Sequence, residues 1–145
     1  MSLLLGVIGC FFAVTAFAVL LETPRTYLAH AGAIGAVGGF VYLFGTHMGL
    51  GAVAATFLSA LSISLLSHTF ARLFKEPVTV FLIAGILPTV PGAGMYRTVY
   101  YLIQNDRAES GYFLVQTLEI AGVIALAVFL VDTLFKIAGK KEKKR

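Results

Sequence analysis

Charge is scarce in this chain. Asp, Glu, Lys and Arg together make up 12% of its 145 residues, against 59% hydrophobic residues and a mean hydropathy of +0.91. That balance excludes a soluble globular domain and points to an integral membrane protein with one transmembrane domain over residues 1–145. Cysteine is nearly absent: Cys10, inside the first apolar run, cannot form an intrachain disulfide. The histidines, His30, His47 and His68, lack close metal-ligand spacing, so no metal site, thiol chemistry or cofactor is expected. His68, at a helix end, stays as a candidate polar pore residue. Gly-x-Ser-x-Gly and His-Glu-x-x-His are both missing, and Asp106 and Asp132 lie at opposite ends of one predicted span. No catalytic residue is therefore assigned, and the chain is not read as an enzyme. Neither a nucleic-acid signature nor an internal repeat is present.

Charge-free runs of about 20 residues, the length that crosses about 30 Å of hydrocarbon, then divide the chain. They predict an all-α protein of five transmembrane helices over 3–21, 27–45, 49–71, 78–103 and 112–135, the fourth interrupted by a Pro/Gly break. The first run has no basic residue before it and no small-residue cleavage site after it, so it reads as a span rather than a signal peptide. The net charge of +4 resides in the tail "KKEKKR", Lys140 to Arg145; the other six basic residues balance six acidic ones. A basic tail over 136–145 beside a hydrophobic helix reads as a cytoplasmic anchor at the lipid bilayer. With that tail inside, the loops holding Arg25 and Arg72/Lys75 fall inside as well, and the N-terminus and "THMG" fall outside.

The third span carries Ser59, Ser62, Ser64 and Ser67, which either bond to their own helix or line a pore. The second span has small residues at Ala31, Gly35 and Gly39, a face that lets another helix approach closely or slide. In "GILPTVPGAGMY" (85–96), Pro88 and Pro91 each remove a backbone donor, and Gly92 and Gly94 permit conformations that other residues avoid. Broken helix at membrane depth is tolerated only where it is buried in protein or lines a wet cavity. The expected shape is a half-helix over about 78–87 and a second over about 92–104, whose first amides suit a carboxylate. Arg97 follows in the first turns, a costly cation that requires a partner. Glu119, at a matching depth of about 10 Å if the fifth span starts at 112, supplies one. The pair reads either as a structural salt bridge or as a substrate site, with Arg97 clamping a carboxylate and Glu119 holding a proton or amine. Tyr96 is expected to line the cavity, and Asp132 to pair with Lys136 at helical spacing.

The stretch "EPVTVFLIAGILPTVPGAGMYRTV" resembles the proline-glycine segment in the small subunit of bacterial threonine/serine exporters. "PRTYLAHAGAIGAVGGFVY" is similar to that subunit's second span. The resemblance covers essentially the whole chain and rests on Ile86, Pro88, Pro91, Gly92 and Tyr96. It implies a multi-pass protein of the bacterial cell membrane, for which the loop charges give the N-terminus out and the C-terminus in. This would be the small subunit of a heteromeric secondary exporter whose partner is a larger subunit with a cytoplasmic domain. The solute would be threonine or serine, or a dicarboxylate such as succinate, with proton coupling by analogy. Homo-oligomers are also compatible. A rival reading is a non-transporting membrane scaffold, in which glycine faces recruit another chain and the break is a packing kink.

Overall fold

Long apolar runs with no internal breaker become long helices, and the two prolines set the single interruption. The computed structural model describes residues 2–142 and contains α1 (Ser2–Leu20), α2 (Leu28–His47), α3 (Ala52–Phe74), α4 (Thr79–Ile86), α5 (Gly92–Ile103) and α6 (Arg107–Glu142). Short 3-10 turns occupy Arg25–Tyr27 and Leu87–Thr89. Among the described residues there is no strand. Four helices are long and apolar enough to cross a membrane, and α4 with α5, bent by 45° at the break, brings the total to five. The last helix is longer than the expected 112–135. It begins at Arg107 and runs through the start of the basic tail to Glu142, whereas residues 143–145 lie outside the described residues.

The helices stop for local reasons. Lys75 adopts a left-handed conformation (φ 57°) and Glu76 N–H reaches back to Ala71 O at 3.0 Å, closing α3 just before Pro77. Asn105 (φ 60°) closes α5 in the same way, and Asp106 Oδ1 then accepts Glu109 N–H at 3.1 Å to start α6. The turns α2–α3 and α5–α6 therefore share one end of the bundle, and α1–α2 and α3–α4 share the other.

Packing between α1 and α2 depends on side chains that are missing. A Cβ on Gly35 would collide with Val14, and one on Gly39 with Cys10. The small face of α2 is thus occupied by α1. On its other side α2 meets α3, where Ser59 Oγ donates to Gly38 O at 2.8 Å. Ser62 Oγ donates within its own helix, to Leu58 O at 2.9 Å. At the α1–α2 end the core changes character. Tyr27, Phe70, Phe74 and Phe81 pack edge-on and tilted, with ring centroids 5.3 to 6.2 Å apart, and His30 lies 4.8 Å from Phe74.

Gly35→Ala should therefore lower the melting temperature of the detergent-solubilised protein, because overpacking costs about 1–3 kcal/mol. Gly9→Ala, where nothing lies within 4 Å, should leave it unchanged.

Candidate functional site

The break sits beside small residues of α2, α4 and α5. Pro88 lies within the 3-10 turn, Val90 is extended, and Pro91 (φ -77°, ψ 55°) makes a tight reversal in which Gly92 N–H bonds to Val90 O at 2.7 Å. The first α5 helical bond then runs from Met95 N–H to Pro91 O at 3.0 Å. Ala93 and Gly94 N–H consequently stand at the helix N-terminus without a helical acceptor, as the first amides of any helix do. Neither Gly92 nor Gly94 has a positive φ. The conformational freedom expected of them is not used; Gly94 instead lets α5 approach α6, where a Cβ would strike Thr117.

A cavity of about 390 Å³ opens beside this segment and takes wall residues from all six helices. Along α3 it runs from Ala52 to Ile63, about 16 Å at 1.5 Å per residue and roughly half of a bilayer's hydrocarbon. Small residues form much of the wall: Gly35 and Gly39 from α2, Gly85 from α4, and Gly92, Ala93 and Gly94 from α5. Among the described residues, Arg97 is the one charged group in the lining. Its guanidinium carbon lies 5.2 Å from the ring centroid of Phe113 on α6, a cation–π arrangement that holds the charge without neutralising it.

The serine and threonine hydroxyls of the wall share one property. Thr56 donates to Ala52 O (2.7 Å), Ser59 to Gly38 O (2.8 Å), Thr89 to Ile86 O (2.6 Å) and Thr117 to Phe113 O (2.6 Å). With each hydrogen committed to a backbone carbonyl, each oxygen offers the cavity only lone pairs. Arg97 and the α5 amides are donors, and these oxygens are acceptors. Such a set matches a small zwitterion, a carboxylate toward the first group and an ammonium toward the second.

Of the site residues expected from sequence, Pro88, Pro91, Gly92, Gly94 and Arg97 are brought together on the cavity wall. Tyr96 is not: it is 68% exposed and stacks on Tyr100, with centroids 6.0 Å apart. At 100° per residue it falls about a third of a turn from the face that carries Gly94 and Arg97. Glu119 is likewise exposed and off the wall, about a third of a turn from Phe113, Gln116, Thr117 and Ile120. The ion pairs among the described residues are His68–Asp132 and Lys136–Asp132, so Arg97 and Glu119 are not paired. The reason is register. Because α6 starts at Arg107, Gly94 meets Thr117 and Arg97 meets Phe113, which leaves Glu119 six residues, about 9 Å, further along. The Asp132–Lys136 contact does form, at 2.6 Å. Thr56, Thr89, Gln116 and Thr117 were not singled out from sequence. Thr89 lay inside the break itself, and Phe113, Gln116, Thr117 and Ile120 are spaced as one helical face.

Helices that span the membrane around a broken segment, with a cavity that carries Arg97 and several hydroxyls, define a membrane protein of the transport class. Residues 6–134 match the family model described as "Threonine/Serine exporter, ThrE", and the chain belongs to that threonine/serine exporter family. It is 26% identical over 97% of its length to a probable threonine/serine exporter of Mycobacterium tuberculosis. It is also 36% identical, over half its length, to the threonine/serine exporter of Corynebacterium glutamicum. The matched regions span 27% and 14% of those relatives' own lengths. No solved structure matches the chain.

If the cavity is wet, Ala93→Cys in a Cys10→Ser background should react quickly with a hydrophilic thiol reagent. Leu118→Cys, whose parent side chain is 63% exposed on the outer surface of α6, should react slowly once the protein is in a bilayer. Equal rates would place the break in lipid rather than water.

Proposed function

We propose that this chain is the small membrane subunit of a heteromeric secondary exporter of threonine and serine in the bacterial cell membrane. The observation that carries the reading is the cavity at the break, where donors (Arg97, Ala93 and Gly94 N–H) and acceptor-only hydroxyls (Thr56, Ser59, Thr89, Thr117) share one wall. A carboxylate would dock at Arg97 and the α5 N-terminus. The ammonium would be held by the hydroxyl oxygens, a preference for amino acids over dicarboxylates. Pro88, Pro91, Gly92 and Gly94 shape the break, whereas Tyr96 and Glu119 stand outside the cavity.

A two-chain transporter is supported by two further facts. Helix α5 has no buried residue and packs chiefly on α6, so one side of the broken span is open to another chain. The relatives are several times longer than the matched region, and a larger subunit with a cytoplasmic domain would correspond to the remainder. The loop charges favour the N-terminus outside and the basic tail inside. In that orientation the cavity faces outward and the aromatic cluster of Tyr27, Phe70, Phe74 and Phe81 closes the inner end.

Efflux of preloaded threonine, and separately of succinate, from cells lacking their own exporters tests the proposal, with this chain alone and with the larger subunit co-expressed. Threonine efflux should require both chains. Arg97→Gln should reduce it about 10- to 100-fold per folded protein, the range expected for a charge-assisted hydrogen bond of about 1.5–3 kcal/mol. Thr117→Val should weaken threonine efflux without creating succinate efflux. Succinate efflux alone would move the solute to dicarboxylates, and no efflux of either from folded complexes would favour a scaffold.

A further inference from the structure

A second polar group lies outside the cavity, toward the α1–α2 end, where α3 meets α6. His68 is 8% exposed; its Nδ1 lies 3.0 Å from Ser64 O and its Nε2 lies 3.5 Å from Asp132 Oδ1. A carbonyl oxygen can only accept, so Nδ1 carries a hydrogen. In the neutral ring Nε2 is then a lone pair, and it faces a carboxylate oxygen that is also an acceptor. Lys136 Nζ donates to Asp132 Oδ2 at 2.6 Å, so the carboxylate serves as acceptor on that side too. With the carboxylate ionised, the contact between His68 and Asp132 is favourable only when a second proton sits on Nε2.

We propose that His68 and Asp132 form a binding site for one exchangeable proton, and that its occupancy ties α3 to α6 at this end of the bundle. On binding, the proton adds to Nε2 and makes an imidazolium paired with the carboxylate; on release, two acceptors face each other and the tie is lost.

The surroundings fit a closure. Among the described residues, the other charged groups there are Lys136 from α6, Arg72 from α3 and Glu76 from the α3–α4 connection, all around a pocket of about 370 Å³. Arg72 donates to Phe135 O and lies 4.7 Å from that ring's centroid, and Glu76 accepts from Tyr27 Oη at 3.2 Å. Helix α4 carries no titratable side chain. Between Ile63, the last α3 residue of the large cavity, and His68 lie Ser64 and Ser67, both fully buried with hydroxyls that have no partner. Buried hydroxyls left unpaired are costly. Here they form the polar stretch of α3 that separates the large cavity from the His68 pocket, and loosening the α3–α6 seam would give water access to them. The inference stands apart from the exporter reading and needs no transport assay.

Imidazole nitrogen NMR of histidine-labelled protein, with the His68 signals assigned by their loss in His68→Gln, tests the site directly. The expected result is an imidazolium that converts, as the pH is raised, to the neutral ring with hydrogen on Nδ1. The closure is read from Ala71→Cys, which lines the pocket, in a Cys10→Ser background, with its thiol reaction rate normalised to that of Leu73→Cys, a position 69% exposed. The normalised rate should rise about two- to fivefold as the proton leaves, the range that partly exposed ion pairs support. Asp132→Asn should abolish that pH dependence. A neutral ring with hydrogen on Nε2, or a normalised rate that does not change with pH, would overturn the proposal. The spectra of the unsubstituted protein decide the tautomer whether or not Asp132→Asn folds.

Discussion

Each proline between 88 and 91 removes an amide donor from a helix that lies at membrane depth, where no water from the hydrocarbon can replace it. The rest of the bundle is arranged around that deficit. The chain repairs part of it locally: Val90 N–H turns back to Leu87 O, Gly92 N–H to Val90 O, and the Thr89 hydroxyl to Ile86 O. What remains, the first amides of α5, must be kept from lipid. Helices α2, α3 and α6 provide that shelter with a wall of hydroxyls and an amide, and Arg97 sits where those free amides already accumulate positive potential. A cation at a helix N-terminus is unfavourable unless something negative joins it, which is the physical ground for proposing that the site takes an anionic group.

The fold was largely legible in the sequence because hydrocarbon imposes one strong rule, a run of about 20 apolar residues per crossing. Pro24, Pro77 and the pair Pro88/Pro91 are unambiguous stops, and the break fell where they placed it. The start of α6 was misjudged because Asp106, Arg107 and Glu109 read as a polar loop, although Asp106 is an N-terminal cap and the charged residues form the first turns of the helix. That error of five residues carried directly into the site. Matching Arg97 to Glu119 by depth assumed both helices began at one level, and a shift of five residues rotates and displaces every facing pair between antiparallel helices. Arg97 thereby meets the Phe113 ring, a neutral partner that a search for opposite charges does not find. Tyr96 failed for another reason: its depth is right, but α5 turns that side outward, and depth alone says nothing of rotation.

The position of the cavity also has a compositional cause. Toward the α2–α3 end, α2, α3, α4 and α5 present Gly, Ala, Ser and Thr to one another, and helices kept apart by their bulkier contacts cannot fill the space with such side chains. Toward the other end α3, α4 and the turn before α2 present Tyr27, Phe70, Phe74 and Phe81, whose rings fill the gap completely enough to leave Phe81 with no exposed surface. One bundle therefore holds two halves of unequal packing density, and the boundary between them falls near Ile63 and Gly85, where Ile63 touches both Gly38 and Gly85. Since well-packed interiors resist deformation while voids lined by small side chains do not, the half that holds the cavity has room to change shape around a solute. The aromatic half can change only by separating whole helices, and such a motion needs a control at its seam. The His68–Asp132 contact between α3 and α6 lies on that seam, between the cavity and the level of Phe70 and Phe74 along α3, where a change of one charge acts on a helix interface rather than on a bound solute.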